Sequence, residues 1–109
     1  MVSETKQRRR MRMTAPMRRG RAKMQAVEYE LSHHAAEMLR RRGIRREWME
    51  AALASPQRVE RDAADPSVVH HLRTVEAREG RVLRVVYNEA VSPVRVVSVF
   101  LDRRMKGKL

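Results

Sequence analysis

The sequence predicts an α+β domain in which two N-terminal helices pack on one face of a four-stranded antiparallel sheet, preceded by a disordered basic tail. Two observations predict this fold. Between Leu31 and Leu53, apolar residues recur at three- and four-residue spacing, which is typical of amphipathic helices. After Pro56 the chain contains short runs of β-branched residues separated by turn residues, which is typical of strands. Helices followed by strands favour an α+β architecture.

The first predicted helix begins after Ser32 and ends at Gly43. A serine hydroxyl can accept a bond from a free N–H of the first helical turn, and Ser32 directly precedes the helical pattern. Gly43 predicts the end of the helix, because glycine readily adopts the left-handed conformation found there. The apolar positions are Leu31, Ala35, Met38 and Leu39.

A second helix is predicted within the segment REWMEAALA. Its apolar stripe ends before Pro56, which a helix does not continue through. The stripe consists of Trp48, Met49, Ala52 and Leu53. Because only a short link at Gly43 and Ile44 separates the two patterns, the helices are expected to form a hairpin.

Four strands are predicted to follow as a meander. QRVERDA is a weak polar strand, and Asp65-Pro66 marks a turn before VVHHLRTVEA. Glu79-Gly80 marks the next turn, before RVLRVVY and VRVVSVFL, whose link NEAVSP suits an antiparallel hairpin. The last two strands are apolar on both faces and are expected to be central, whereas the first is expected at an edge.

Residues 1–26 are expected to form the disordered basic tail, and residues 27–109 a single domain. Residues 1–24 contain nine Lys/Arg and one acidic residue, a net charge of +8 out of the chain's +12. Almost no large apolar residue other than methionine is present there to bury. Three interpretations stay open: a basic arm that binds phosphates, a targeting segment, or a mis-assigned start, with translation beginning at Met24.

The composition limits the kind of protein. Cysteine is absent, so neither a disulfide framework nor a thiolate metal site is expected. No stretch approaches the roughly 18 to 20 apolar residues that span a membrane. We therefore expect a reducing, cytoplasmic setting without a membrane partner.

Several kinds of site find no support in the sequence. The serines lie in no Gly-x-Ser-x-Gly context, and the four glycines form no phosphate-binding loop. The four histidines show neither HxxxH nor HxH spacing, so no metal site is expected. No cofactor is expected either.

Two residues of the first helix are not explained by its amphipathic pattern. At 100° per residue, His34 lies about 80° from the centre of the apolar arc, a boundary position, whereas His33 faces solvent. Arg42 returns almost to the middle of the arc. Its guanidinium must extend to solvent, reach the helix C-terminus or find a partner. Structural and functional roles are open for both His34 and Arg42.

The predicted sheet carries further histidines and arginines. His70 and His71 are neighbours on one strand and must point to opposite faces, so only one shares a face with Arg73. Arg84 interrupts an apolar strand, and such a charge must be paired or face an open groove. With the basic C-terminal segment DRRMKGKL, this pattern suits a phosphodiester substrate. One Trp, two Tyr and one Phe are few, which favours recognition of the backbone over base stacking.

Four segments in the same order resemble the domain-of-unknown-function 4258 family, over roughly residues 29 to 109. They are LSHHAAEMLRRRGIRREWMEAAL, the Asp65-Pro66 turn, GRVLRVVYN and PVRVVSVFLDRR. The hallmark "S-x-H-A" followed by "R-G-I" falls on Ser32, His34, Ala35, Arg42, Gly43 and Ile44. The later segments match Arg81 to Val86 and Val99 to Arg104.

This family looks like a branch of the RelE/BrnT-like toxins. The resemblance implies a RelE-like fold of two helices and an antiparallel sheet. It also implies a metal-independent endoribonuclease with a cognate antitoxin protein as partner. The positions that match the family's motifs and could serve RNA cleavage are His34, Arg42, Arg84 and Arg104.

Cleavage by attack of a 2′-OH needs a base, an acid and cations for the phosphate. The hypothesis assigns catalysis to His34, His71, Arg84 and Arg104, with His34 or else His71 in the acid/base role. It assigns RNA contacts to Arg42, Arg73, Tyr87 and Arg103. The substrate would be RNA, free or bound to the ribosome. The alternative is a non-catalytic module that binds RNA or a protein; in either case the oligomeric state is open.

Overall fold

The structure is a computed structural model that describes residues 10–12 and 28–109. Its helices and strands run in chain order as β1 (Arg10–Arg12), β2 (Glu28–Leu31), α1 (His33–Arg41), α2 (Arg46–Ala54), β3 (Arg58–Arg61), β4 (Val68–Val75), β5 (Arg81–Asn88) and β6 (Val94–Asp102). Single turns of 3₁₀ helix follow β4 at Glu76–Arg78 and β6 at Arg103–Met105.

The sheet differs from the predicted one. Its strand order is β1-β2-β6-β5-β4-β3, and β3 to β6 form the predicted antiparallel meander. However, β2 pairs in parallel with β6. The prediction of a four-stranded antiparallel sheet is therefore wrong: from residue 28 onward the sheet has five strands and is mixed. The segment EYEL is too short to show a strand period, and no local turn signals its pairing with a strand more than sixty residues away.

The N-terminal edge of the sheet lies partly in the predicted tail. Residues 10–12 pair antiparallel with β2, with Arg10 opposite Glu30 and Arg12 opposite Glu28. These three residues of the predicted tail thus extend the sheet at the edge that β2 offers. The remainder of the predicted tail, including Met24, lies outside the described residues.

Both ends of α1 are as the sequence predicts. The Ser32 hydroxyl accepts a hydrogen bond from the Ala35 N–H at 3.0 Å. At the other end the Ile44 N–H donates to the Leu39 carbonyl and the Gly43 N–H to the Arg40 carbonyl. This pair of hydrogen bonds needs a residue in the left-handed conformation, and Gly43 has φ +63°. The turn directs the chain from α1 into α2.

Both helices pack on one face of the sheet, as predicted. From α2, Met49, Ala52 and Leu53 are buried, and they join the core that Ala35 and Leu39 of α1 enter. Strand β2 is tied to α2 as well, because the buried Tyr29 hydroxyl donates to Glu50 Oε2 at 2.6 Å. The sheet residues of this core are Tyr29, Leu31, Val75, Leu83, Val85, Val96 and Val99.

Along each strand, side chains alternate between the two faces of the sheet. We call the face on which α1 and α2 pack the helix-covered face and the opposite one the helix-free face. Directly opposite residues of antiparallel strands share a face. Glu60 is opposite His70, Leu72 is opposite Arg84, and Arg84 is opposite Phe100. The buried residues of α1 and α2 all belong to the core on the other face. No helix in the described ranges is long and apolar enough to cross a membrane.

We predict that Gly43→Ala lowers the free energy of unfolding by about 1 kcal/mol, because a side chain disfavours the left-handed conformation. Nothing lies within 4 Å of an added Cβ, so the loss would come from the backbone alone. Urea denaturation measures it. Gly43→Asn is the matched control and should lose less, because asparagine tolerates this conformation. Equal stability of the alanine variant and the wild type would contradict the assignment.

Candidate functional site

Arg84 is the centre of an ion-pair network on the helix-free face. Its Nε donates to Asp102 Oδ2 at 2.9 Å. Its Nη1 lies 2.8 Å from His70 Nδ1 and 3.3 Å from Glu60 Oε1. The guanidinium side chain is only 11% exposed. Partners from three other strands therefore offset the cost of removing its charge from water, and Arg84 is paired.

His70 has a defined proton position in this network. A guanidinium can only donate, so His70 Nδ1 must be the acceptor of the bond from Arg84. The proton of the neutral ring then lies on Nε2, which donates to Asp62 Oδ1 at 2.8 Å. The imidazole thus lies between a carboxylate and a guanidinium, with its basic nitrogen toward Arg84.

Asp62 is itself held in place by the turn after β3. Its Oδ2 accepts hydrogen bonds from the Ala64 and Asp65 N–H groups, each at 3.0 Å. The bond from His70, and then these two backbone bonds, hold the pKa of Asp62 below its usual range. Asp62 is therefore an ionised, oriented carboxylate behind the imidazole.

Asp102 anchors the other side of Arg84. Its side chain is almost fully buried, and burial alone would raise its pKa. The hydrogen bonds from Arg84 and from the Arg104 N–H, with the charges of both arginines, outweigh burial and lower the pKa of Asp102 overall. The Arg104 side chain is exposed, and its Nε lies 3.6 Å from Asp102 Oδ1. It therefore places an accessible cation beside the network.

Glu60 completes the group with Arg58 on the edge strand. Arg58 Nε lies 3.2 Å from Glu60 Oε2, and both side chains are partly exposed. The three carboxylates Asp62, Glu60 and Asp102 are thus matched by the three guanidiniums of Arg58, Arg84 and Arg104. The cluster is electrically balanced as it stands, so an added phosphate must compete with a carboxylate for an arginine.

His71 points to the opposite, helix-covered face and has the opposite tautomer. Its Nδ1 lies 3.0 Å from the Ala52 carbonyl, which only accepts, so Nδ1 carries the proton. Its Nε2 then accepts from the Tyr87 hydroxyl at 3.1 Å. The two rings meet edge to face at 5.0 Å. Burial lowers the pKa of His71, partly offset by the backbone carbonyls, and burial raises the pKa of Tyr87. Both residues link α2 to the sheet.

Arg73 shares this helix-covered face with His71. Its Nη1 donates to the Ser55 carbonyl at 2.7 Å. Ser55 ends α2, so Arg73 satisfies a free carbonyl and complements the negative end of the helix dipole. The contact with Ser55 explains the positive charge of Arg73 as a structural feature, with no need for a bound ligand.

The other proposed residues lie apart from Arg84. His34 is exposed on α1, which packs on the helix-covered face. Arg42 is also exposed, at the C-cap of α1. Arg103 is exposed in the 3₁₀ turn after β6. The structure thus brings together Arg84 and Arg104, but neither His34 nor His71 lies with them. A role of these residues in RNA cleavage or binding stays a prediction.

The sequence pattern missed five members of the network: His70, Asp62, Glu60, Asp102 and Arg58. The alternation of β4 showed that His70 and His71 face opposite ways, but it could not show which of them faces Arg84. That depends on the register, in which Leu72 is opposite Arg84 and Glu60 opposite His70. Within the described part of the chain, no group of three or more His, Asp or Glu residues is arranged to hold a metal ion.

We predict that His71 makes stability depend on pH. The unfolded chain protonates His71 near pH 6.5, whereas the folded protein keeps the ring neutral to lower pH. The unfolded state thus binds more protons, and stability falls as pH drops below about 6.5. Urea denaturation at about pH 7.5 and 5.5 should show a smaller loss of stability in His71→Asn, which keeps a donor for Ala52. Equal losses in the two proteins would contradict the assignment.

A comparison with known families gives one match. The model of a domain of unknown function (DUF4258) matches residues 31–101, which include the network from Glu60 to Arg84 and end just before Asp102. Neither a search of the curated proteins nor a search of the solved structures finds a match. Since the match covers well over half of the chain, the protein belongs to the DUF4258 family.

Proposed function

We propose that this protein is a toxin-type, metal-independent endoribonuclease that cleaves RNA on its helix-free face. The arrangement of Asp62, His70 and Arg84 carries the proposal. An oriented carboxylate accepts a hydrogen bond from one nitrogen of an imidazole, and the unprotonated nitrogen of the same ring accepts one from a guanidinium. General base catalysis with phosphate stabilisation requires these groups.

His70 replaces His34 and His71 as the proposed base. Both ring nitrogens of His71 are engaged on the helix-covered face, and His34 has no carboxylate partner among the described residues. Asp62 holds the Nε2–H of His70, which leaves Nδ1 as the basic atom. Arg84 occupies Nδ1 in the structure, and a phosphate oxygen would draw the guanidinium away and free that nitrogen.

The reaction then follows from these positions. His70 Nδ1 takes the proton of the 2′-OH, and the 2′-oxygen attacks the adjacent phosphorus. The bond from phosphorus to the 5′-oxygen breaks, and the leaving oxygen takes a proton from solvent. The products are a 2′,3′-cyclic phosphate and a 5′-hydroxyl, with no redox change. Arg84, drawn from His70 toward the phosphate, stabilises the charge on the pentacovalent phosphorus.

The partners belong to the same proposal. A net charge of +12 favours binding to the RNA backbone, free or on the ribosome, in the cytoplasm. Arg104 and Arg58 would supply further phosphate contacts beside the network. Arg42, Arg73 and Arg103 lie apart from Arg84 and would contact RNA elsewhere. We propose that the protein is related to the RelE/BrnT-like toxins. Its protein partner would then be a cognate antitoxin.

The closure of the network favours a second candidate function, a non-catalytic module that binds RNA or protein. Nε and Nη1 of Arg84 and both nitrogens of His70 already have partners, and the Arg84 side chain is mostly buried. A network of this kind can simply stabilise the sheet. The exposed arginines would then hold a partner without any chemistry.

We predict that the full-length protein cleaves labelled single-stranded RNA in the presence of EDTA, and that His70→Gln lowers the rate at least about 100-fold. His33→Gln is the matched control, because His33 is exposed on α1, away from the helix-free face. His34→Gln in the same assay tests the earlier assignment of the base. The products should end in a cyclic phosphate.

A second set of reactions separates the two candidate functions. Substrate with 2′-deoxyribose at every position should stay intact, because it lacks the nucleophile. If the wild type cleaves nothing, with or without ribosomes, but binds RNA with an affinity that falls with salt, the nuclease proposal is wrong and the binding module stands. If His70→Gln leaves the rate of RNA cleavage unchanged, His70 is not the catalytic base.

A further inference from the structure

Phe100 is the one phenylalanine of the chain, and it lies beside the network. In the register it is directly opposite Arg84, so the two side chains share the helix-free face. Cβ atoms of such a pair are about 5 Å apart. Asp102, the buried anchor of Arg84, lies two residues further along the same strand and face. The ring therefore borders the proposed phosphate position.

The ring is also partly accessible. Phe100 is of intermediate exposure and is not among the partly buried residues that pack against the main core. Leu72, Val82 and Val86 are buried on this face, whereas Phe100 keeps part of its surface exposed. Phe100 is thus a partly exposed aromatic residue next to a cation, and the part that contacts water is open to a ligand.

Stacking on an aromatic side chain is available only to a base that is not already stacked and paired in a duplex. Such stacking contributes about 1–3 kcal/mol per base and is tolerant of sequence. A nucleotide whose phosphate contacts Arg84 can place its neighbouring base over the ring opposite. The low aromatic content still predicts that recognition elsewhere involves the backbone, so the stacking is confined to one base.

We infer that Phe100 stacks one unpaired base beside the phosphate that Arg84 binds, so that the substrate of this site is single-stranded RNA. The inference rests on the proposed function for the identity of the ligand, and it deepens that proposal by naming the substrate class. Phe100 is then a residue that determines specificity, whereas His70 and Arg84 act on the phosphate.

Binding and cleavage are measured separately with the full-length chain. The binding probe is a short fluorescent RNA made uncleavable by 2′-O-methyl groups, single-stranded or annealed to its complement. We expect the single strand to bind at least about tenfold more tightly than the duplex, and Phe100→Leu to remove that preference by weakening single-strand binding about tenfold. Phe100→Tyr is the matched control and should bind as the wild type does. Circular dichroism checks that each variant is folded.

The outcomes for the two proposals are distinct. Single-strand binding that depends on the ring, without cleavage of the unmodified RNA, supports the inference about Phe100 while the nuclease proposal fails. Equal binding of single strand and duplex, or wild-type affinity in a folded Phe100→Leu variant, overturns the inference even if RNA is cleaved. If Phe100→Leu does not fold, loss of single-strand preference in Phe100→Tyr plays the same part, because the inference requires the tyrosine ring to substitute.

Discussion

The structure depends on the placement of one charge, the guanidinium of Arg84, in the middle of a central strand. Its neighbours Leu83 and Val85 are fully buried on the other face, so the strand cannot shift to expose it. An unpaired charge at such a site would cost several kcal/mol. The sheet offsets this cost by supplying a partner from each of the three other meander strands: Glu60, His70 and Asp102.

The same constraint gives the two adjacent histidines different chemistry. His71 is between a helix carbonyl and a tyrosine hydroxyl, where burial favours the neutral ring and the contacts join α2 to the sheet. His70 is between a carboxylate and Arg84 on the face without helices. Because consecutive residues of a strand point to opposite faces, a single His-His pair serves packing on one side and a charged cluster on the other. This separation is why the proposed function moves the base to His70.

Local signals in the sequence were sufficient for much of the fold. The N-cap at Ser32, the left-handed stop at Gly43 and the core stripe of α2 follow from neighbours within one or two helical turns, and the structure confirms them. The meander of β3 to β6 follows from its turns. The parallel pairing of β2 with β6 does not, because it joins distant segments that share no turn. The site, too, is only partly predictable from local signals. Arg84 is conspicuous in its apolar strand, but Glu60 and His70 come next to it, and Asp62 next to His70, only through the strand register.

Arg84 holds His70 as the Nε2–H tautomer, with no proton on Nδ1. Long-range ¹H–¹⁵N correlation of the histidine side chains reports the protonated nitrogen of each ring directly. We predict a proton on Nε2 of His70 and on Nδ1 of His71, two opposite tautomers in neighbouring residues. A proton on Nδ1 of His70 would contradict the account, because Arg84 could not then donate to that atom and the proposed base would be blocked.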